Sequence, residues 1–319
     1  MDVSRVEPVG AGGLAEFAAV TSRPSRRAVL LGGAAGAAAV AGAGFAGVET
    51  GVLPGRTTVD SWLGLSKVDP DVPRGPRGPV RYEQYESRAR GKRVTWALTL
   101  PDDRPVRGLP VALVLHGRGG NAHSAENVLH ADAYLADHVR RGGAPLALVS
   151  VDGDATYWHP RLSGDDSLAM ILDEVLPRAG RLGADVSRIG LVGYSMGGFG
   201  ALMLAREGEA GRLGGLRIAA AAASSPALFA TAGSSAPGAF DDPADWRRWG
   251  DLAAHPQVSS TPLHVDCGVS DPFAQQTKRY RGNCPTTPAG GFTKGAHTGG
   301  YWRSVLPAQL DFLSGHLTA

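Results

Sequence analysis

The residues best suited to chemistry begin with a serine in a glycine-rich pentapeptide. Residues 193–197 read Gly-Tyr-Ser-Met-Gly, directly after the apolar run 189–192 and before the apolar segment 199–205. A serine on such a strand-to-helix turn is held in the open, where a base can reach its hydroxyl. The pattern therefore predicts that Ser195 is a nucleophile. Taken alone, the pentapeptide fits a glycine-rich turn with an incidental serine equally well.

Two partners for this serine follow it in the required chain order, an acid and then a histidine. Asp271 stands four residues beyond the predicted strand 263–267, where a carboxylate can leave a sheet and orient an imidazole. Asp266 is the rival, but it lies inside that strand, where we expect it to pack or pair. His297 lies in a glycine-rich loop before the last predicted helix. We expect His297 to act as the base; an exposed loop histidine is the alternative.

A second glycine-rich segment supplies candidate oxyanion donors. Residues 116–120 read His-Gly-Arg-Gly-Gly and follow a buried apolar strand. Loops of this kind present backbone N–H groups to a developing oxyanion. The predicted donors are the backbone amides of Arg118 and Met196, although the glycines could also serve only a tight turn. We expect His116 to hydrogen-bond within the loop and not to carry protons.

Two aromatic residues stand close to another predicted strand end. Tyr157 and Trp158 follow the strand 146–151 and should therefore border the ligand site. We predict that they line an acyl or aromatic substrate subsite. Ordinary packing of the loop is the alternative reading.

The elements that must position these residues alternate between strand and helix. An opening hairpin is predicted at 81–87 and 93–100, and buried strands follow at 111–115, 146–151, 189–192, 218–223 and 263–267. Helices are predicted at 125–140, 166–178, 199–205 and 302–317. This alternation predicts an α/β fold with a mostly parallel, doubly wound sheet and helices on both faces.

The predicted catalytic domain covers residues 81–319. Residues 50–80 are rich in proline, glycine and charge and are predicted to be a linker or an irregular strap. Within the domain, residues 225–260 are rich in proline, glycine and serine, and we interpret them as a lid-like insertion.

The first 49 residues resemble a targeting segment. Arg26 and Arg27 precede an uncharged run at 28–48, as in a twin-arginine export signal, and residues 41–43 offer a small-residue cleavage site. We expect export to the cell envelope or the medium. An uncleaved anchor that associates with a membrane and an Ala/Gly-rich cytoplasmic tail are the alternatives, since the run is long enough to span a bilayer.

Composition excludes some classes of function. The formal net charge of +2 gives no reason to expect nucleic acid as a partner. Two cysteines, Cys267 and Cys284, are too few for a structural zinc site, and we predict neither a metal nor an organic cofactor. In an exported protein the two thiols could form a disulfide or remain unconnected.

These motifs together resemble the esterase family of α/β-hydrolases that includes esterase D, feruloyl esterases and the antigen 85 mycolyltransferases. The resemblance rests on residues 115–120, on 193–202 and on 295–297 with the following Tyr301 and Trp302. It covers roughly residues 85–317. It implies Ser195, Asp271 and His297 as a triad, with the amides of Arg118 and Met196 as the oxyanion hole. The antigen 85 enzymes have an aspartate where this chain has His116, which disfavours a mycolyltransferase.

The predicted function is that of an exported serine esterase that cleaves small-molecule or lipid esters through an acyl-enzyme. One alternative is an acyltransferase that passes the acyl group to an alcohol or a sugar. Another is a non-catalytic binding protein on a hydrolase scaffold; a complete set of triad residues counts against that reading.

Overall fold

Eight strands form one sheet in the computed structural model, which describes residues 67–318 of the chain. The strands are β1 (Val80–Ser87), β2 (Lys92–Thr99), β3 (Pro110–Leu115), β4 (Ala147–Val151), β5 (Asp185–Tyr194), β6 (Arg217–Ser224), β7 (Leu263–Gly268) and β8 (Phe292–Thr293). Their order in the sheet is β1-β2-β4-β3-β5-β6-β7-β8. The pairs β1–β2 and β2–β4 are antiparallel, and the other neighbours are parallel. The predicted opening hairpin and mostly parallel sheet are confirmed.

Helices connect these strands. They are α1 (Ser124–Asn127), α2 (Ala131–Arg140), α4 (Met196–Glu209), α6 (Ala274–Asn283) and α7 (Gly299–Thr318). The helix α3 runs without a break through Ser167–Ala169, Met170–Val175 and Leu176–Arg181, and its middle part is π-helical. The short helix α5 is Pro243–Asp245 with the π-helical turn Trp246–Gly250. Between residues 67 and 318, no helix combines the length and the apolar character needed to cross a membrane.

The structure departs from the predicted elements in three places. The helix predicted at 125–140 is divided into α1 and α2, because His130 adopts a left-handed conformation with φ 51° between them. The helix α6 and the two-residue strand β8 were not predicted. Helix α6 buries only three residues, Ala274, Thr277 and Tyr280. It therefore lacks the apolar stripe from which a helix is predicted in a sequence.

The core lies on both faces of the sheet, and alternation along β3 shows how. Val111, Leu113 and Leu115 belong to the apolar cluster on one face, together with the residues of α3 and α4. Ala112 and Val114 belong to the cluster on the other face, which α2 and α7 cover. A strand that is buried on both faces explains why β3 reads as a continuous apolar run.

Residues 67–79, which we call the strap, lie against the helices α2 and α7. Arg303 of α7 donates to Asp69 at 2.6 Å, and Arg77 donates to Asp132 of α2 at 3.0 Å. The predicted signal at 1–49 and the earlier part of the predicted linker lie outside the described residues. Both cysteines are free thiols in the structure, Cys267 buried in β7 and Cys284 half-buried after α6.

Residues 225–260, which connect β6 to β7 and which we call the excursion, are tied to the domain on several sides. Arg118 donates to the carbonyl of Pro237 at 3.0 Å. Arg161 donates to Asp241 at 2.7 Å. Polar contacts therefore hold the excursion in place beside the strand ends.

Candidate active site

Ser195 occupies a sharp turn between β5 and α4, with φ 56° and ψ −121°. A non-glycine residue rarely adopts positive φ, so the surrounding structure must hold it there. The flanking glycines make this turn sterically possible. A Cβ on Gly193 would lie 2.2 Å from the carbonyl oxygen of Gly197, and a Cβ on Gly197 would lie 1.8 Å from that of Leu115. Close backbone packing therefore requires glycine at the first and the last position of the pentapeptide.

The three predicted triad residues come together at the strand ends. His297 Nε2 lies 2.8 Å from Ser195 Oγ, and His297 Nδ1 lies 2.9 Å from Asp271 Oδ2. With Nδ1–H donating to the carboxylate, Nε2 keeps its lone pair for the serine hydroxyl. The Asp271 side chain is fully buried, whereas the His297 side chain is 26% exposed. The chain of contacts therefore runs from a buried acid to a solvent-accessible serine.

Asp271 is further fixed by its own loop. Its second oxygen, Oδ1, accepts a hydrogen bond from the backbone amide of Phe273 at 2.9 Å. This bond leaves Oδ2 directed at His297. The rival carboxylate, Asp266, instead accepts from Gln309 Nε2 at 2.8 Å and from the amide of Gly291 at 3.1 Å. The prediction that Asp266 packs and pairs inside the sheet is confirmed.

Aromatic rings confine the His297 imidazole on two sides. Phe273 contacts it edge-on at 5.2 Å between centroids, and Trp302 does so at 5.1 Å. Trp302 in turn stacks on Tyr194, the residue before the serine, at 4.3 Å. The loop histidine is therefore packed between rings from α7 and from the segment after β7, and Tyr194 of β5 supports the ring from α7, which limits how far the imidazole can turn.

His116 ties the loop at residues 116–120 to the segment after β4 through hydrogen bonds. Its Nδ1 donates to the carbonyl of Gly117 at 2.7 Å, and its Nε2 accepts from the amide of Gly153 at 2.8 Å. Burial lowers the pKa of His116, which keeps the imidazole neutral with one nitrogen as donor and the other as acceptor. The predicted structural role of His116 is confirmed.

The backbone amides predicted as oxyanion donors, those of Arg118 and Met196, both belong to segments close to Ser195. A Cβ on Gly117, next to Arg118, would lie 3.4 Å from the Cβ of Ser195, so this loop runs close to the nucleophile. Met196 follows Ser195 directly and is the first residue of α4. Among the described residues, neither backbone amide has a hydrogen-bond acceptor. A free N–H at a helix N-terminus is suited to negative charge.

Tyr157 and Trp158 are both buried, and Trp158 is placed differently from the prediction. Both have positive φ, 54° and 63°, and this turn directs both rings inward. Trp158 has no exposed surface and packs where a Cβ on Gly153 or Gly200 would otherwise lie, at 2.4 Å. Trp158 therefore supports the site from beneath and does not line a subsite, contrary to the prediction. Two consecutive non-glycine residues with positive φ leave no signal in the sequence that would have shown this.

Tyr157 belongs to an aromatic cluster that extends from the catalytic end toward the excursion. Its ring contacts Phe199, Phe229 and Phe240, with centroids at 5.6, 6.0 and 5.8 Å. Phe229 also contacts Phe273, which touches His297. Tyr157 itself is 2% exposed, and its contact with a substrate stays a prediction.

Sequence reasoning missed Phe229 and Phe240 because both lie in the excursion. An irregular segment has no periodicity that assigns its side chains to a direction. Within residues 67–318, no group of three or more histidine, cysteine, aspartate or glutamate side chains is arranged to hold a metal ion.

Solved structures resemble this arrangement of strands and helices. A ferulic acid esterase superimposes with a TM-score of 0.63 at 17% identity, over 76% of this chain and 100% of that chain. The chain has the α/β-hydrolase fold. The resemblance read from the motifs is thereby confirmed at the level of the fold.

Two further α/β-hydrolases illustrate the likeness. The fluorophosphonate-binding serine hydrolase F of Staphylococcus aureus matches with a TM-score of 0.59 at 19% identity, over 75% of this chain and 99% of that chain. An S-formylglutathione hydrolase from Agrobacterium tumefaciens matches with 0.59 at 16% identity, over 79% and 98%. No family model matches the chain, and no curated protein matches it in sequence.

Proposed function

We propose that this protein is an exported serine esterase that hydrolyses carboxylic esters through an acyl-enzyme. The observation that carries the proposal is the unbroken hydrogen-bond chain from Asp271 through His297 to Ser195, with distances of 2.9 and 2.8 Å. A hydroxyl becomes a useful nucleophile when a positioned base can take its proton. The fold shared with solved esterases agrees with this chemistry.

The proposed reaction has two steps. Ser195 Oγ attacks the ester carbonyl carbon while His297 Nε2 accepts the hydroxyl proton, and the imidazolium is stabilised by Asp271. The tetrahedral intermediate collapses, His297 returns the proton to the departing alcohol, and an acyl-serine remains. Water, deprotonated by His297, then attacks the acyl carbon and releases the acid and Ser195.

The proposed oxyanion hole consists of two backbone amides, those of Arg118 and Met196. Their N–H groups are free of protein acceptors within the described part of the chain, as a site for a transient negative oxygen requires. His116 contributes indirectly, since its two hydrogen bonds hold the loop that carries Arg118. The loop is thus preorganised before any substrate binds.

The proposed acyl site is apolar. Phe273 and Phe240 are half-buried and continue into the cluster with Phe229 and Tyr157, next to the catalytic histidine. Such a wall favours acyl groups with apolar or flat surfaces over charged ones, because burying an uncompensated charge there is costly. We therefore propose small-molecule or lipid esters as substrates.

The export part of the proposal rests on the sequence. The paired arginines at 26 and 27 and the uncharged run after them are the supporting features, and they lie outside the described residues. Replacing both arginines with lysine should leave the protein inside the cell if the twin-arginine signal is used. Accumulation of the variant outside the cell in normal amounts would exclude this signal.

The decisive experiment on the esterase compares Ser195→Ala with the wild type, using a series of p-nitrophenyl esters and a fluorophosphonate probe. We expect the variant to lose about 10⁶-fold in kcat and all labelling, because nucleophile and base act as one unit. The exposed Ser163 offers a matched control, and Ser163→Ala should keep both activities. Undiminished hydrolysis by Ser195→Ala would refute the assignment.

A further inference from the structure

A cavity of about 530 Å³ lies at the far end of α4 from Ser195. Four arginines line it together with three other polar side chains: Arg206, Arg212, Arg247, Arg248, Asp251, His255 and Gln257. Arg206 follows Ser195 by eleven residue steps, which corresponds to about 16 Å along the helix at 1.5 Å per residue. The cavity is therefore separate from the triad and is built jointly by α4 and the excursion.

A buried glutamate organises three of these arginines. Glu207, with a side chain that is 1% exposed, accepts from Arg206 Nε at 3.1 Å, from Arg212 Nε at 2.6 Å and from Arg248 Nη2 at 2.7 Å. Arg212 Nη2 and Arg248 Nη1 also donate to it, each at 3.0 Å. Five N–H groups saturate a carboxylate, which has about four lone-pair positions. Glu207 therefore has no capacity left for the remaining guanidinium donors.

Among the residues from 67 to 318, several guanidinium donors of this cluster find no acceptor. Arg206 uses Nε for Glu207 and Nη2 for the carbonyl of Arg248 at 2.8 Å, which leaves Nη1. Arg212 likewise retains Nη1, and Arg248 retains Nε. Across residues 67–318, Arg247 has neither a hydrogen-bond acceptor nor an ion-pair partner, although it lines the same cavity. The unused N–H groups thus belong to four different side chains around one space.

The charges around the cavity do not balance. Four arginines line the cavity with one carboxylate, Asp251, which is paired with His255 at 2.9 Å; the second carboxylate, Glu207, contacts three of these arginines but is not part of the lining. Burial lowers the pKa of Arg206, and the charges of Arg248 and Arg212 lower it further in spite of Glu207. The count of four guanidinium groups against two carboxylates thus leaves an excess of positive charge around the cavity, which a bound anion would relieve.

We propose that this cavity is a binding site for a phosphate group, free or esterified. A planar carboxylate matches one guanidinium fork, whereas a tetrahedral phosphate directs its oxygens toward donors on several sides. The distribution of the unused donors over four arginines fits the second geometry. Because α4 and the excursion both contribute arginines, a bound phosphate also links these two parts of the molecule and stabilises the fold.

The test measures binding of inorganic phosphate and of glycerol 3-phosphate to the purified protein by titration calorimetry, at constant ionic strength set with chloride. Arg247→Gln is the informative variant, because Arg247 does not touch Glu207 and its loss leaves the buried cluster intact. Arg81→Gln is the matched control: Arg81 is an exposed arginine on β1, at the opposite edge of the sheet. We expect the dissociation constant to rise at least 10-fold in Arg247→Gln and to stay within 2-fold in Arg81→Gln.

Saturable binding of either compound with this pattern supports the site, and the tighter of the two identifies the free or the esterified group as its ligand. Absence of saturable binding for both compounds overturns the proposal. Equal weakening in the two variants does so as well, since it would show general charge attraction. The readout is binding, so it is independent of whether the protein hydrolyses esters.

Discussion

The two ends of α4 hold charged or polar groups in opposite ways. At the N-terminal end, Ser195 makes one side-chain hydrogen bond, to a histidine whose imidazole is partly exposed. At the other end, Glu207 is buried and receives five N–H groups from three arginines. Both arrangements join side chains from distant parts of the sequence to the same helix.

The difference teaches what separates a group proposed to react from one that anchors. Ser195 is strained and under-coordinated, so its hydroxyl remains free to move toward a substrate. Glu207 is saturated, so it fixes the end of the helix to the excursion and has no further chemistry to offer. One helix therefore combines a strained functional turn with a strongly satisfied ionic cluster.

The largest effect is expected from a substitution of Asp271, which contacts His297 beside the N-terminal end of α4. Asp271→Asn should lower kcat by about 10⁴-fold, because an amide no longer holds His297 with Nε2 as the acceptor. The measurement is steady-state hydrolysis of a short p-nitrophenyl ester. Thermal unfolding of the same sample should stay close to that of the wild type, since the change is nearly isosteric.

Asp266→Asn provides the comparison, because Asp266 is an equally buried carboxylate that bonds to Gln309 and Gly291. Per folded molecule, its kcat should change less than about 10-fold. A loss in Asp266→Asn that matched the loss in Asp271→Asn would contradict the assignment of the acid.

A smaller effect, on stability, is expected from a change at the C-terminal end of α4, where Glu207 accepts its five hydrogen bonds. Glu207→Gln leaves three arginines without their carboxylate and should lower the free energy of unfolding by about 3–5 kcal/mol. Chemical denaturation at neutral pH measures this change. Hydrolysis per folded molecule should persist, because the triad lies at the other end of the helix; selective loss of kcat without loss of stability would count against the anchoring role.

The pH dependence of stability sharpens the same test. Burial alone would raise the pKa of Glu207, but hydrogen bonds from Arg248 and Arg212 and the charge of Arg206 outweigh burial and lower it to about 2. A lowered carboxyl pKa stabilises the fold above the unfolded value of 4.5 and loses that contribution as pH falls toward 2. The contribution is on the order of 3 kcal/mol. Glu207→Gln should therefore flatten the loss of stability between about pH 4.5 and pH 2.

The smallest effect is expected from the Arg118 side chain. In the proposed mechanism Arg118 acts through its backbone amide, while its guanidinium donates to the carbonyl of Pro237 in the excursion. Arg118→Ala should therefore change kcat/KM for a short uncharged ester by less than about 3-fold, since one exposed hydrogen bond contributes little. A loss of 100-fold or more would assign the guanidinium itself to the reaction.

The sequence predicts that Ser195, Asp271 and His297 meet because each of the three follows a signal of local structure. Gly193 and Gly197 mark a turn that only glycine permits, and Asp271 and His297 follow the ends of elements in a fixed order. The buried apolar strands were equally visible as continuous runs. A conformation that is decided by local sterics and burial can therefore be predicted from the residue types.

Other features arise from contacts between segments that are distant in the chain, and the sequence alone does not reveal them. The inward turn of Tyr157 and Trp158 depends on space that Gly153 and Gly200 provide. The arginine cluster depends on Arg248 reaching Glu207 across 41 residues. The helix α6 was missed because its buried face is too narrow to show a period.

The contact between the strap and α7 constrains the order of folding. Asp69 and Arg303 are 234 residues apart, and the triad itself joins Ser195 to a histidine 102 residues later. Contacts of such long range form slowly, because the entropy of closing a large loop opposes them. A growing chain therefore lacks both the partner of its strap and its proposed catalytic base until residues 297–303 have been made. A chain that stops before residue 297 can carry the proposed nucleophile, yet it lacks the histidine that is proposed to activate it.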